Sequence, residues 1–242
     1  MVILSILYLF VCVNSEAYFI PVQYTCMVSK RLSYIREYFF PSGCGGCGSS
    51  LLDGESAYYG LCSKCRDFFR RSLAQQRRYT KCGVYALFPY SGKCKAMLRA
   101  YKFGNSLAIG NFFAECLVFA GQELLTNKPA TKEAAWVPVP PRPGKIKRQG
   151  WDQIDYLARL LKRKHTLVSK CLKRLPSQSQ KELNREQRKT NLDKRIICTK
   201  KPPKAVLLFD DVVTTGATIN ACTKALMDGG SEEVYAVCLF YD

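Results

Sequence analysis

The sequence of 242 residues contains a single histidine, His165, and has 19 aspartate and glutamate residues against 37 lysine and arginine residues. His165 lies in a run of lysines and arginines, which favours a surface position over a catalytic one. The deficit of acids leaves a net charge of +18 at pH 7. Of this charge, +15 lies in residues 142–204, where 20 basic residues stand against 5 acidic ones. Such a block suits phosphates, either of a small ligand or of a nucleic-acid backbone, and the alternative is a solvated basic surface.

The sequence also lacks a clear secretion signal and a run long enough to span a membrane. Its first 13 residues are apolar, but no cationic segment precedes them and no small-x-small cleavage site follows. A stretch of this length is too short to cross a bilayer. Residues 1–26 are therefore expected to be an apolar extension, either an over-extended reading frame or a membrane-associated leader. We expect a cytoplasmic protein, with peripheral membrane association through this extension as the alternative.

The cysteines are numerous but are not arranged as a disulfide framework. Of the 13, four form two CxxC pairs and nine are scattered singly, which suits a reducing compartment with one metal site. The pairs, Cys44 with Cys47 and Cys62 with Cys65, are 14 residues apart, close to the spacing of a zinc ribbon. Residues 51–61 are long enough for a small hairpin that brings the pairs together. We predict a structural Zn²⁺ site, and the alternative is four thiols without metal.

The most informative segment is residues 206–219, VLLFDDVVTTGATI. Four apolar residues lead into Asp210 and Asp211, as in a strand buried on both faces of a parallel sheet, and ligands bind beyond the carboxyl ends of such strands. The following turn offers hydroxyls, a glycine and the free N–H groups of a helix start, which suit a phosphate. Its residues are Thr214, Thr215, Gly216, Ala217 and Thr218. Acids beside such a turn indicate a sugar phosphate, with ribose hydroxyls on the carboxylates, directly or beside Mg²⁺. The alternative is an acidic cap before a surface helix.

Residues 206–219 resemble the phosphoribosyl-pyrophosphate (PRPP) motif of type I phosphoribosyltransferases. The rest of the chain alternates strands and helices, which favours an α/β fold. Predicted strands are residues 85–89, 135–140 and 234–241, and predicted helices are residues 64–79, 93–101, 107–124 and 151–164. We predict a type I phosphoribosyltransferase-like parallel sheet with helices on both faces over residues 81–242, preceded by a small zinc ribbon and helix over residues 27–80.

The order of motifs resembles the ComF family of bacterial phosphoribosyltransferase-like competence proteins over residues 29–242. After the two CxxC pairs come YKFGN at residues 101–105, VPVP with KRQGWDQ, a polar basic run at residues 174–191, and the PRPP motif. The family usually has RGFNQ where this chain has QGWDQ, so that Asp152 stands in place of an asparagine.

The resemblance implies a site for PRPP or a related sugar phosphate, with Mg²⁺. In that site Asp210 and Asp211 act as the catalytic acids and the turn holds the 5-phosphate. The pyrophosphate is neutralised by Lys147 and Arg148, or by Arg185 and Arg188 on a mobile loop formed by residues 174–191. The alternative for residues 174–191 is a solvated basic helix.

Two functions are consistent with the resemblance. One is a phosphoribosyltransferase linked to DNA uptake in natural competence, with an unidentified acceptor. The alternative is a non-catalytic competence factor that keeps the fold and binds single-stranded DNA. The resemblance also implies the helicase-like competence ATPase as a partner.

Overall fold

The computed structural model describes residues 8–13, 16–21, 43–51, 53–76, 78–80, 82–103, 106–126, 134–176 and 195–242. The chain divides into two compact units, residues 1–42 and residues 43–242. In the first unit, strands β1 (Tyr8–Val13) and β2 (Glu16–Pro21) pair antiparallel. Within the described residues, no helix has the length and apolar character needed to cross a membrane.

The second unit alternates helices and strands along the chain. In order, its elements are α1 (Gly54–Tyr59), α2 (Ser63–Gln76), β3 (Arg78–Tyr79), β4 (Tyr85–Pro89), α3 (Gly92–Phe103), α4 (Ile109–Leu125), β5 (Ala135–Pro138), α5 (Lys145–Gln149), α6 (Gln153–Arg163), β6 (Leu172–Arg174), β7 (Ile196–Cys198), β8 (Ala205–Val213), α7 (Ala217–Asp228) and β9 (Glu233–Tyr241). The predicted helix at residues 151–164 is present as α6, whereas the segment before it, predicted as a loop, contains the short helix α5, which ends at Gly150 with φ +74°.

The central sheet has five strands in the order β3-β4-β9-β8-β5. Strands β4, β9, β8 and β5 run parallel, and β3 pairs antiparallel with β4 at one edge. Because β8 lies between β9 and β5, the strand that carries Asp210 and Asp211 is an interior strand of the sheet. This arrangement confirms the predicted α/β fold.

Both faces of the sheet are covered by helices. Val206 and Leu208 of β8 pack in one apolar cluster with Ile219 and Cys222 of α7, whereas Leu207 and other residues pack in a second cluster with α3, α4 and α6. Successive side chains of a strand point to opposite faces, so the unbroken apolar run of β8 supplies both clusters. The predicted burial of this strand on both faces is confirmed.

The cysteine-rich segment shares its core with the sheet. Phe69 of α2 is fully buried, and its ring centroid lies 6.2 Å from those of both Phe88 in β4 and Phe112 in α4. Gly45 approaches α3 and α4 so closely that an added Cβ would lie 2.3 Å from Ile109 Cδ1 and 3.3 Å from Ala100 Cβ. The described parts of residues 27–80 and 81–242 therefore pack as one body.

Candidate functional site

The two CxxC pairs form one cluster of thiols. The Sγ atoms of Cys44, Cys47, Cys62 and Cys65 all lie within 4.8 Å of one another. Cys44 Sγ accepts hydrogen bonds from the backbone N–H groups of Gly46, at 3.4 Å, and Cys62, at 3.3 Å. Four sulfur ligands at this separation, with backbone donors on one of them, fit a tetrahedral structural Zn²⁺ site. The predicted cluster of four cysteines is present.

A helix, and not the predicted hairpin, connects the two pairs. Helix α1 begins after Asp53, whose side chain accepts a hydrogen bond from Ser56 N at 2.7 Å, and ends at Gly60, which has φ +62°. An aspartate N-cap and a left-handed glycine at the end are the signals that define a short helix. The hairpin prediction was wrong because it considered only the length of the segment and not these capping residues.

The local environment divides the thiols into two kinds. Hydrogen bonds with Ser49 lower the pKa of Cys47 to about 6, whereas burial raises the pKa values of Cys62 and Cys65. A buried thiolate without a cation is costly, so a metal ion would supply the charge that keeps all four sulfurs deprotonated.

A cleft of about 470 Å³ lies at the carboxyl ends of β5 and β8. Its lining residues include three acids and five bases: Asp152, Asp210, Asp211, Lys102, Arg142, Lys145, Arg148 and Arg174. The acids come from β8 and from the start of α6, and most of the bases come from the segment after β5 and from α3. The position agrees with the rule that ligands of parallel sheets bind beyond the carboxyl ends of the strands.

Asp211 is held by two side chains from different helices. Its Oδ2 atom lies 2.8 Å from Lys102 Nζ and accepts a hydrogen bond from Gln153 Nε2 at 2.6 Å. The Asp211 side chain is 10% exposed. Both donors come from segments with recognisable motifs, YKFGN and KRQGWDQ, but neither residue was predicted individually as part of the site.

Asp152 makes contacts with both helix α5 and helix α6. Its Oδ1 atom accepts hydrogen bonds from the N–H groups of Ile154 and Asp155, both at 2.9 Å, and so caps the helix. Its Oδ2 atom lies 2.6 Å from Lys145 Nζ, and Lys145 also donates to Gln153 Oε1. An asparagine would cap the helix equally well, but only the aspartate provides a charge for Lys145.

Asp210 is the acid whose ionisation the fold opposes. Burial and the neighbouring Asp211 carboxylate raise the pKa of Asp210 to about 7, although Lys102 and Arg174 act in the opposite direction. Its Oδ1 atom accepts a hydrogen bond from Asp211 N at 2.8 Å. A partner that donates hydrogen bonds or positive charge to this carboxylate would stabilise its ionised form.

The turn after β8 leads into the start of helix α7. Thr218 lines the cleft, whereas Thr214 and Thr215 are exposed. Among the described residues, no side chain caps this helix, although Thr215 Oγ1 lies 3.4 Å from Ala217 N. First-turn N–H groups without intrahelical partners at the cleft suit an anion.

The fold itself requires glycine at position 216. Gly216 adopts φ +74°, and an added Cβ would lie 2.7 Å from Cys82 Cβ. The sequence pattern indicates a glycine that lets a phosphate approach the backbone closely. Its backbone conformation and its packing against Cys82 require glycine by themselves.

The structure places only some of the predicted basic residues at the cleft. Arg148 lines the cleft, whereas Lys147 is exposed and is absent from the described lining. Arg185 and Arg188 lie outside the described residues. Arg174, at the end of β6, is within the cleft lining. His165 is exposed, with φ +60°, as expected for a surface residue.

Known proteins provide an independent comparison. No family model matches the chain. Competence protein F of Haemophilus influenzae is 28% identical over 199 residues, which cover 79% of this chain and 81% of that protein. Competence protein ComFC of Streptococcus pneumoniae is 30% identical over 196 residues, which cover 72% of this chain and 84% of that protein. The chain belongs to the ComF family. The resemblance inferred from the order of motifs is thereby confirmed.

For this ComF-family protein we expect about one zinc ion per chain after purification, since a site with four cysteines binds Zn²⁺ tightly at neutral pH. The double substitution Cys44→Ser with Cys62→Ser should remove the metal, as measured by elemental analysis. Cys82→Ser and Cys94→Ser should leave the zinc content unchanged. Full zinc content in the Cys44/Cys62 variant would show that another site holds the metal.

The raised pKa of Asp210 makes stability depend on pH. Between about pH 4 and pH 7 the folded state keeps a proton that the unfolded chain has released, so stability falls as pH rises through this window. Asp210→Asn mimics the protonated acid and should therefore raise the free energy of unfolding above pH 7. The expected gain is about 1 kcal/mol or more, since one pKa unit corresponds to about 1.4 kcal/mol.

Urea denaturation of the zinc-loaded, ligand-free protein across this pH range is the appropriate measurement. The gain from Asp210→Asn should shrink toward the acid end of the window, and the exposed control Asp228→Asn should show no such trend. If the difference in the free energy of unfolding between Asp210→Asn and the natural protein does not vary with pH, the raised pKa of Asp210 is contradicted.

Proposed function

We propose that this ComF-family protein binds PRPP or a related sugar phosphate, together with Mg²⁺, in the cleft at the end of β8. The observation that carries the proposal is the distribution of charge around the cleft. Asp210 and Asp211 lie near the carboxyl end of β8, the α7 N-terminus follows that strand without a side-chain cap, and Arg142 and Arg148 line the same cleft. A ribose with a phosphate at each end has hydroxyls between two anionic groups, which matches this order of acids and donors.

In the proposed complex each part of the ligand has its own partners. The ribose hydroxyls donate to Asp210 and Asp211, the 5-phosphate accepts from Thr218 and the first N–H groups of α7, and the pyrophosphate lies against Arg142 and Arg148. Carboxylates accept hydrogen bonds from hydroxyls, and arginines bind phosphate oxygens with two parallel donors. Ionised Asp210, which the free protein disfavours, is stabilised by those hydroxyls, so ligand binding offsets the cost of its burial.

The same arrangement supports phosphoribosyl transfer. The bond between ribose C1 and pyrophosphate breaks, the electron pair leaves with the pyrophosphate, and positive charge develops on the ring. Mg²⁺ bound to the pyrophosphate would add positive charge at the leaving group. Arg142, Arg148 and Arg174 provide fixed positive charge on that side of the cleft, which is the preorganised electrostatic stabilisation that such a step needs. We infer that the reaction class is pentosyl transfer to an acceptor that remains to be identified.

The biological process proposed for the protein is DNA uptake in natural competence. Both relatives bear the name of a competence protein. A helicase-like competence ATPase is the partner that this role implies, and cytoplasmic residence is the location.

A second candidate function, binding of single-stranded DNA, is favoured by one surface of the structure. Helices α2 and α3 present exposed basic side chains around an exposed ring, Phe68. Lys93 Nζ lies 5.0 Å from the centroid of that ring, and Lys64 and Arg71 are exposed on α2 one turn to either side. We call Lys64, Phe68, Arg71 and Lys93 the basic-aromatic surface. Lysines that contact phosphates beside a ring that stacks on bases are typical of single-strand binding.

The PRPP proposal is tested by calorimetry with Mg²⁺. Asp210→Asn with Asp211→Asn keeps the size of both side chains but removes charge and acceptor capacity. Loss of two charged hydrogen bonds, at about 1.5–3 kcal/mol each, should weaken binding by about tenfold or more per residue. The control Asp228→Asn lies exposed at the far end of α7 and should bind as the natural protein does. Equal affinity in the double variant, or no binding of PRPP by the natural protein, would defeat the proposal.

The DNA candidate is tested by the salt dependence of binding to an oligothymidylate, followed by fluorescence anisotropy. Affinity should fall steeply with salt, because each phosphate contact releases condensed counterions. Lys64→Glu with Lys93→Glu should reduce the salt slope, whereas Phe68→Ala should weaken binding with little effect on the slope. Lys224→Glu, on the exposed side of α7, is the matched control. An affinity that does not change with salt would remove this candidate.

A further inference from the structure

Two of the three carboxylates that line the cleft already have a lysine partner. Asp152 Oδ2 lies 2.6 Å from Lys145 Nζ, and Asp211 Oδ2 lies 2.8 Å from Lys102 Nζ. Among the described residues, Asp210 is the only one of the three without a lysine within salt-bridge distance. The cleft therefore contains its own cations next to its acids.

Lys102 is held firmly beside Asp211. Its side chain is 21% exposed, and the same Asp211 oxygen accepts from Gln153 Nε2 at 2.6 Å. The preceding residue, Tyr101, is fully buried and donates from its hydroxyl to the backbone oxygen of Gln153 at 2.8 Å. One contact thus joins the end of α3 to the start of α6, and it positions both side chains that donate to Asp211.

This geometry affects where a divalent cation can bind. A carboxylate oxygen that accepts from an ammonium and an amide has no lone pair well directed at a third partner, and an ammonium at 2.8 Å repels a metal ion. Mg²⁺ requires oxygen ligands close to ideal octahedral geometry. To bind Asp211 at Oδ2, the metal would have to displace Lys102.

We propose that the Lys102 ammonium occupies the place beside Asp211 that a divalent cation would otherwise take. The ribose 5-phosphate part of the ligand then binds without metal, and Mg²⁺ enters only with the pyrophosphate. This inference rests on the proposed function, since it concerns how the same cleft binds its sugar phosphate. Lys102 acts here on Asp211 and is a positioning residue.

The experiment uses ribose 5-phosphate, which lacks the pyrophosphate, and measures its binding by calorimetry in EDTA and in excess Mg²⁺. For the natural protein, Mg²⁺ should change the affinity by less than about threefold. Lys102→Met keeps the apolar stem but removes the charge, and it should weaken binding in EDTA by about tenfold, because Asp211, no longer held by Lys102, loses one charged hydrogen bond to a ribose hydroxyl. Mg²⁺ should restore most of that loss. Lys102→Arg should remain independent of Mg²⁺, and Lys95→Met, on the exposed face of the same helix, should match the natural protein.

A second measurement needs no sugar phosphate and no activity. Mn²⁺, followed by electron paramagnetic resonance, should bind the cleft of Lys102→Met and not that of the natural protein. Adding Asp211→Asn to Lys102→Met should abolish this binding. Mn²⁺ binding by the natural protein that is lost in Asp211→Asn, or ribose 5-phosphate binding by the natural protein that requires Mg²⁺, would overturn the inference.

The two proposals fail in different ways. If ribose 5-phosphate and PRPP both fail to bind under all conditions, the proposed function is wrong, and the role of Lys102 in sugar-phosphate binding is wrong with it. If both bind but ribose 5-phosphate needs Mg²⁺, the proposed function stands and only the role of Lys102 is wrong.

Discussion

One carboxylate oxygen, Oδ2 of Asp211, joins the elements that enclose the cleft. It belongs to the interior strand β8, and its two donors come from the end of α3 and the start of α6. A charge that is 10% exposed is costly unless it is paired, so the fold must keep both helices close to the strand. The position of Lys102 and Gln153, and through Gln153 that of Lys145, follows from this pairing.

The cysteine cluster supports the same region through packing. Gly45, between the first two cysteines, touches Ala100 and Ile109, which places the metal-binding loop against the last turns of α3 and the beginning of α4. Tyr101 and Lys102 follow Ala100 directly and make the contacts to α6 and β8. The cysteine cluster, which could hold a metal ion, thus packs near the backbone that carries Lys102, although none of its four cysteines is among the described residues that line the cleft. This connection explains why the cysteine segment and the sheet share one core.

The three acids that line the cleft differ in their surroundings. Asp152 and Asp211 each have a lysine partner, whereas burial and the charge of Asp211 oppose the ionisation of Asp210. Two adjacent carboxylates in one strand cannot both be satisfied by the fold alone when each also repels the other. The cost falls on Asp210, which lines the cleft, so a bound group with hydrogen-bond donors would reduce it. Charged groups whose burial lowers the stability of the free protein are common at binding sites.

The sequence by itself determined the interior strand, the acids at its end, the turn into a helix and the four cysteines. Each of these is a local pattern in which neighbouring residues share one environment, such as the apolar run of β8 or the spacing within a CxxC pair. Capping residues were equally local, and Asp53 and Gly60 would have indicated helix α1.

Only the tertiary structure decided which distant side chains meet. Lys102, Lys145 and Gln153 are ordinary polar residues of helices in the sequence, and they reach Asp152 and Asp211 because the parallel sheet brings the ends of separate segments to one edge. Such pairs are set by the packing of helices against strands, since a salt bridge depends on distance in space and leaves no periodic signal along the chain.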